Sequence, residues 1–239
     1  MRLVSALLAL AMLFVMMPVG AFADNPSPTE GNCGANGGDN ITWKVEQNGD
    51  TANDGEKGWT LTLEGSGEMA DYEKAYGTPN GPVPWESVRN EITQVSISKG
   101  VTRIGNSALW GMVSLENVTI PDSVKKIGDS AFDGCGVTKI VLPDSVIHIG
   151  KDAFANCDSL EEAKLSKSLT DIGDGTFSNC SALKQMDIPE GVTTIGMQAF
   201  SGCTSLSSIN ILNSVTNIGA AAFYGCASLS SITIPTGVT

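Results

Sequence analysis

Residues 195–226 read IGMQAFSGCTSLSSINILNSVTNIGAAAFYGC, and the opening IGxxAFxGC returns after 23 residues. Ile-Gly begins at residues 104, 127, 149, 172, 195 and 218, so the spacings are 23, 22, 23, 23 and 23. In the last five copies a cysteine stands eight residues after the isoleucine, at Cys135, Cys157, Cys180, Cys203 and Cys226, and Met112 takes that slot in the first. A fixed period of about 20–50 residues marks an array of stacked supersecondary units. The single short interval has a local origin. Cys135 to Ile140 is five residues where Cys203 to Ile209 is six, so one turn residue is absent and Val137 fills the usual leucine slot.

Each unit parses into the same parts. Leu206, Ile209 and Ile211 alternate with small polar residues, the period-two signature of a half-buried strand. Pro121, Pro143, Pro189 and Pro235 close such segments where no further ladder hydrogen bond is needed. A second short extended piece, Val-Thr-x-Ile-Gly, follows, and then Ala-Phe-x-Gly/Asn-Cys predicts a tight helical or 3-10 turn. One unit of this size cannot bury its Ile, Phe, Cys and Leu alone. Stacked in register at about 4.8 Å, the units bury them in columns, so Phe132, Phe154, Phe177, Phe200 and Phe223 are expected as one ladder.

The pattern L-x-x-I-x-I-P-x-x-V-T-x-I-G-x-x-A-F-x-G-C resembles the BspA-like leucine-rich-repeat family of secreted and surface proteins, over roughly 92–239. The segment before it looks like the module that often precedes these repeats, with Cys33-Gly34, Trp43 in ITWKVEQ, then WTLTLEGSGEM, Tyr72 and Pro84-Trp85. The resemblance implies a β-rich, right-handed leucine-rich-repeat solenoid of about six coils with a strand-lined concave face. It also implies an adhesive or ligand-binding surface.

Four regions follow. Residues 1–23 read as a secretory signal peptide, with Arg2 before an apolar run and Ala21-Phe22-Ala23 before a cleavage point between Ala23 and Asp24. Cleavage moves the net charge from -12 to -13, because Arg2 is lost. Residues 24–32 are read as a linker. Residues 33–91 are read as a capping module, in which Ile41–Glu46 and Trp59–Leu63 form a hairpin around the polar loop 48–58 and Trp43, Trp59 and Trp85 cover the first coil. Residues 92–239 are the repeats. The chain stops at Thr239 where another Ile-Gly is due, which reads as an uncapped end of a longer array. A structural spacer or targeting module of a larger exported protein is the alternative to a binding protein.

Composition narrows the function. With 14 basic against 26 acidic residues and a pI near 4.4, the chain lacks the cations that a nucleic-acid backbone requires. No second apolar stretch follows the signal, so no membrane span is expected in the mature chain. Asp50–Gly55 resembles a calcium loop, but Ala52 and Leu61 fall where an EF-hand needs oxygen ligands. Without a Cys-x-x-Cys pair, and with one histidine, no metal site is expected. That histidine, His148, occupies the slot held elsewhere by Arg103, Lys126, Asp171, Thr194 and Asn217, a variable surface position. Glu161, Glu162 and Asp152 read as solvating carboxylates, so no catalytic role and no cofactor is expected. The five in-register cysteines are read as buried free thiols, because Cβ atoms one strand apart, at about 4.8 Å, lie beyond the roughly 3.5–4.5 Å of a disulfide.

What remains is the outward side of the strands. Glu116, Thr119, Lys139, Glu161, Glu162, Lys164, Lys184, Asp187 and Asn210 are the candidate ligand-binding residues, for an extracellular protein or glycan. The face has no Trp, Tyr or Arg, the usual hot-spot residues. Trp110 is expected to pack against the cap, and Tyr224 is the other aromatic on the turns.

Overall fold

The computed structural model describes residues 29–35, 38–48, 58–73 and 83–239. The signal peptide with Ala23 and Asp24, and the acidic loop Asp50–Gly55, lie outside the described residues.

The amino-terminal part is a three-stranded antiparallel meander of β1 (Thr29–Asn32), β2 (Ile41–Gln47) and β3 (Trp59–Glu68). Alternation puts Ile41, Trp43 and Val45 of β2, and Trp59, Leu61 and Leu63 of β3, on one buried face. The expected hairpin is therefore present. The linker reading of 24–32 fails at its last four residues, which pair with Thr42–Val45. Strand pairing uses the backbone and needs no apolar pattern. Gly31 is also suited to its place, since a Cβ there would sit 2.8 Å from the Trp43 indole nitrogen.

Strand β3 joins the meander to the repeats. Its first half pairs in parallel with β4 (Ile92–Ile97), and its last residues pair in parallel with β5 (Gly100–Ile104). It thus serves as a coil in its own right. The chain passes from one pairing to the other at Gly65, whose φ of +126° suits glycine alone and where a Cβ would collide with the Asn40 carbonyl. Behind β3, Trp85 packs edge-on against Trp43 at 5.8 Å and Tyr72 at 5.9 Å, and is 1% exposed.

The coils then repeat. One strand series comprises β6 (Asn117–Thr119), β8 (Lys139–Val141), β10 (Glu162–Lys164), β12 (Gln185–Asp187) and β14 (Ser208–Asn210). The other comprises β7 (Lys126–Ile127), β9 (His148–Ile149), β11 (Asp171–Ile172), β13 (Thr194–Ile195) and β15 (Asn217–Ile218). All pairings along both series are parallel, and Gln94 opposite Asn117, Glu162 opposite Lys139 and Gln185 opposite Ser208 show the register advancing by one repeat per strand. Between the series the phenylalanines form the expected column: neighbouring rings from Phe132 to Phe223 stack at 5.2, 5.5, 5.6 and 5.7 Å, tilted by 14° or less.

The Ala-Phe turns are more than connectors. Alternate backbone N–H groups donate to the following coil, as from Ser130, Phe132 and Gly134 to Lys151, Ala153 and Ala155. The same trio recurs from Gly175, Phe177 and Asn179 to Met197, Ala199 and Ser201. A third hydrogen-bonded ladder therefore runs along the stack. Its geometry needs two left-handed residues per coil. One is the Gly or Asn before each Cys slot. The other is Ser107, Ser130, Asp152, Gly175, Gln198 or Ala221, with φ between 50° and 61°. A side chain in this region costs about 1–2 kcal/mol, which the inter-coil bonds offset.

Two outcomes follow for stability. Phe177→Ala, in the middle of the column, should cost about 3–5 kcal/mol, read as a lower urea midpoint, with hydrogen-exchange protection lost first in the coils on either side of Phe177. Gln198→Gly should raise stability by about 0.5–1 kcal/mol, the relieved backbone strain outweighing the added freedom of the unfolded chain, read in the same titration.

Candidate functional site

The strand face gathers the predicted residues. Thr119, Lys139, Glu162, Lys164, Asp187 and Asn210 lie on β6, β8, β10, β12 and β14, and Glu116, Glu161 and Lys184 immediately precede strands. All nine are exposed, while the alternate positions Val95, Ile140 and Met186 turn into the core.

Much of the charge on this face is cancelled locally. Lys139 Nζ lies 2.8 Å from Glu162 Oε2, and Lys184 Nζ lies 2.5 Å from Glu161 Oε2, in both cases between neighbouring coils. Both pairs are more than half exposed, so each is worth no more than about 1 kcal/mol. Lys164 and Asp187 occupy the same repeat position on neighbouring coils but form no ion pair with each other.

The ladder on this face is interrupted twice, and a cleft lies at each interruption. Between β6 and β8, which do not pair, a hollow of about 380 Å³ is bordered by Glu116, Thr119 and Lys139. It coincides with the interval shortened to 22 residues. Between β10 and β12, also unpaired, a hollow of about 350 Å³ is bordered by Glu162, Lys164, Lys167, Gln185 and Asp187 above Leu165 and Ile188. A further hollow of about 580 Å³ on the outer side of the meander has acidic walls, Glu30, Glu46 and Glu64, and its lysine, Lys44, is tied to Glu46 at 2.6 Å.

Lys167 was not among the sequence candidates, whereas Gln185 reads from the sequence as an outward residue of the same strand. The clefts escaped the sequence reading because they arise from what a coil lacks: a turn residue before β8, and a large side chain at Ala163 on β10.

The remaining chemistry-bearing groups are spoken for. His148 is exposed on β9 opposite Lys126. Trp110 packs beneath the Arg89 guanidinium, 4.2 Å from its ring centre, whereas Tyr224 is 75% exposed. All six cysteines are free and buried. The five in the repeats donate their thiol hydrogen to the preceding coil, Cys135 to the Leu109 carbonyl at 3.0 Å and Cys157, Cys180, Cys203 and Cys226 to the carbonyls of Phe132, Phe154, Phe177 and Phe200, each at 3.1 Å. Burial pushes the Cys33 and Cys203 thiols up to about 12 and raises those of Cys135 and Cys226. Such thiols are poor nucleophiles and poor metal ligands. Among the described residues no group of three or more His, Cys, Asp or Glu is placed to hold a metal ion. Nor, among the same residues, is any helix long and apolar enough to cross a membrane.

Comparison with known proteins supports this reading of the architecture. A BspA-type leucine-rich-repeat region, in six copies, matches residues 88–186 and 170–239. A leucine-rich-repeat protein from Bacteroides ovatus is 26% identical, with a TM-score of 0.55 and coverage of 82% of this chain and 58% of that one. The leucine-rich-repeat protein of T. pallidum is also 26% identical, with a TM-score of 0.56 and coverage of 77% and 87%. This chain therefore spans little more than half the length of the Bacteroides ovatus protein. No curated protein matches it.

The thiols carry a pH dependence whose sign is fixed. In the unfolded chain they ionise near the ordinary value of 9.0, whereas Cys203 in the folded chain ionises near 12. Below pH 9 both states keep the proton and stability is unaffected. Between 9 and 12 the unfolded state alone loses it, so stability falls as pH rises. Urea midpoints should be level between pH 7 and 8.5 and drop by pH 10.5, with a shallower drop in Cys203→Ala. Native protein at pH 8 should resist a thiol-reactive dye that labels the unfolded chain.

Proposed function

Because the chain belongs to the BspA-type leucine-rich-repeat family, we propose that it is an exported, non-catalytic binding module whose strand face engages an extracellular protein or glycan. The coils are read as an open right-handed solenoid with that face concave. Export rests on the signal-peptide pattern of residues 1–23. Attachment to host or neighbouring-cell macromolecules is the adhesive role that fits such a surface.

The observation that carries this reading is the division of labour within each coil. Ile, Leu, Phe, Val and Cys are consumed by the core columns, and the alternate strand positions are exposed on one face without being needed for packing. A repetitive polar surface of this kind has modest affinity at any single point and gains by engaging several coils at once. With the thiols sequestered and the one histidine isolated on the surface, the described residues offer no nucleophile paired with a base.

The test is a binding panel of extracellular-matrix proteins and glycans, run with the wild type and with Glu161, Lys164 and Asp187 each changed to Ala. A saturable signal that weakens several-fold in these variants supports the strand face. A wild type that binds nothing on the panel overturns the reading in favour of a spacer.

A further inference from the structure

The repeats provide an internal standard against which each coil can be compared, and the coil of β10 departs from it at two adjacent residues. At the inward strand position, Val95, Val118, Ile140, Met186 and Ile209 stand in the other coils, but Ala163 stands here. At the outward position two residues before the strand-closing slot, Ser96, Thr119, Val141, Asp187 and Asn210 are replaced by Lys164. The closing slot, Pro121, Pro143 and Pro189 in three coils, holds Ser166 here, Ser98 in the coil of β4 and Leu212 in that of β14. The next position, acidic as Asp122, Asp144 and Glu190 in nearby coils, is Lys167 here, as it is Lys99 in the coil of β4. Both departures, Ala163 and Lys164, line the cleft between β10 and β12, and Lys167 lies beside them.

The departures have a joint physical effect. Ala163 takes up less of the inward column than the Ile140 and Met186 on either side, so there is room beneath the strand face here. Beside it β10 and β12 are not paired as strands, and the coils are joined just before them by the Lys184 N–H, which donates to the Glu161 carbonyl at 3.3 Å. Leu165, Ile188 and Pro189 supply an apolar lining. Lys164 and Lys167 are both exposed, and among the described residues neither ammonium takes part in an ion pair, unlike Lys139 and Lys184 on the same face, although the Lys167 backbone N–H donates to Asp144 Oδ1 at 3.0 Å. Two lysines outside any ion pair, beside an apolar recess whose own carboxylates are Asp187 and a Glu162 already held by Lys139, favour a carboxylate next to an aliphatic group. Asp187 on the opposite wall is free to accept a hydrogen bond from an N–H.

We propose that the cleft between β10 and β12 is a peptide-binding subsite, which seats an aliphatic side chain over Ala163 and the adjoining acidic side chain on Lys164 and Lys167. The proposal deepens the binding-module reading, on which it rests, by naming the place and the ligand class. A peptide is favoured over a glycan because Leu165, Ile188 and Pro189 give the recess an apolar lining without an aromatic platform.

The probe is a pool of N-acetylated, C-amidated hexapeptides with a central Leu-Glu, compared with pools carrying Leu-Lys or Ser-Glu. Amide chemical-shift mapping on the full chain should show the Leu-Glu pool perturbing residues 162–189 in a saturable way, and the other pools failing to do so. Ala163→Ile and Lys167→Asp should each weaken binding at least tenfold. Both changes install the residue type found at the same slot of an adjacent coil, so the fold should persist, and Ala163→Ile should raise the melting temperature by restoring the column. No perturbation by the Leu-Glu pool, equal perturbation by the Leu-Lys pool, or binding undiminished in Ala163→Ile at unchanged or higher melting temperature would each overturn the subsite. If the matrix and glycan panel still gives a signal sensitive to Glu161→Ala in any of those cases, the broader binding reading stands and only the cleft is lost.

Discussion

From Phe132 to Phe223 five rings lie nearly parallel at 5.2 to 5.7 Å, slightly wider than the strand spacing of about 4.8 Å that the flanking ladders require. Rings packed face to face along a stack tolerate little variation in the chain between them, so each coil must return to the same place after the same number of residues. That return is the constraint behind the rest. It puts each Cys thiol within 3.0–3.1 Å of the carbonyl at the preceding Phe or Leu. It also brings Lys139 to Glu162 and Lys184 to Glu161, pairs that are 23 residues apart in sequence and adjacent in space. Where the count slips to 22, β7 and β9 still pair, but β6 and β8 do not.

The features read correctly from the amino acids are those in which one residue type does one job. Ile-Gly, Ala-Phe and Cys recur because the column, the strand end and the thiol slot each accept few side chains, and the spacing alone then predicts the stacked phenylalanines and the unpaired cysteines. The hairpin at Ile41 and Trp59 was legible from alternation. The third ladder was not, since Ser130, Asp152, Gln198 and Ala221 share a backbone conformation and no chemistry. Strand β1 was invisible for the same reason: TEGN pairs through its main chain and carries no apolar alternation. On the strand face the charged residues were legible as exposed, but which of them neutralise one another depends on distances between coils that letters do not carry.

The regularity also changes how function should be sought in such a chain. In an ordinary domain an exposed lysine is one among many. Here each position is sampled once per coil, so an unusual residue is measured against its own counterparts in the same molecule. Ala163 and Lys164 are unusual together, and they fall beside one of the two places where the series on the strand face opens. The remainder of the face is mostly small and polar, and two of its lysines are paired with carboxylates of neighbouring coils.

Strand β3 belongs at once to the antiparallel meander and to both parallel series. Growth of the array accordingly has a direction. The meander is built from contacts close in sequence, and once formed it offers a ready edge on which the next coil closes a loop of only one repeat, an entropic cost that does not increase along the chain. A polypeptide threaded out amino terminus first delivers its template before any of the copies that lean on it, and each newly emerged coil finds its seat already waiting.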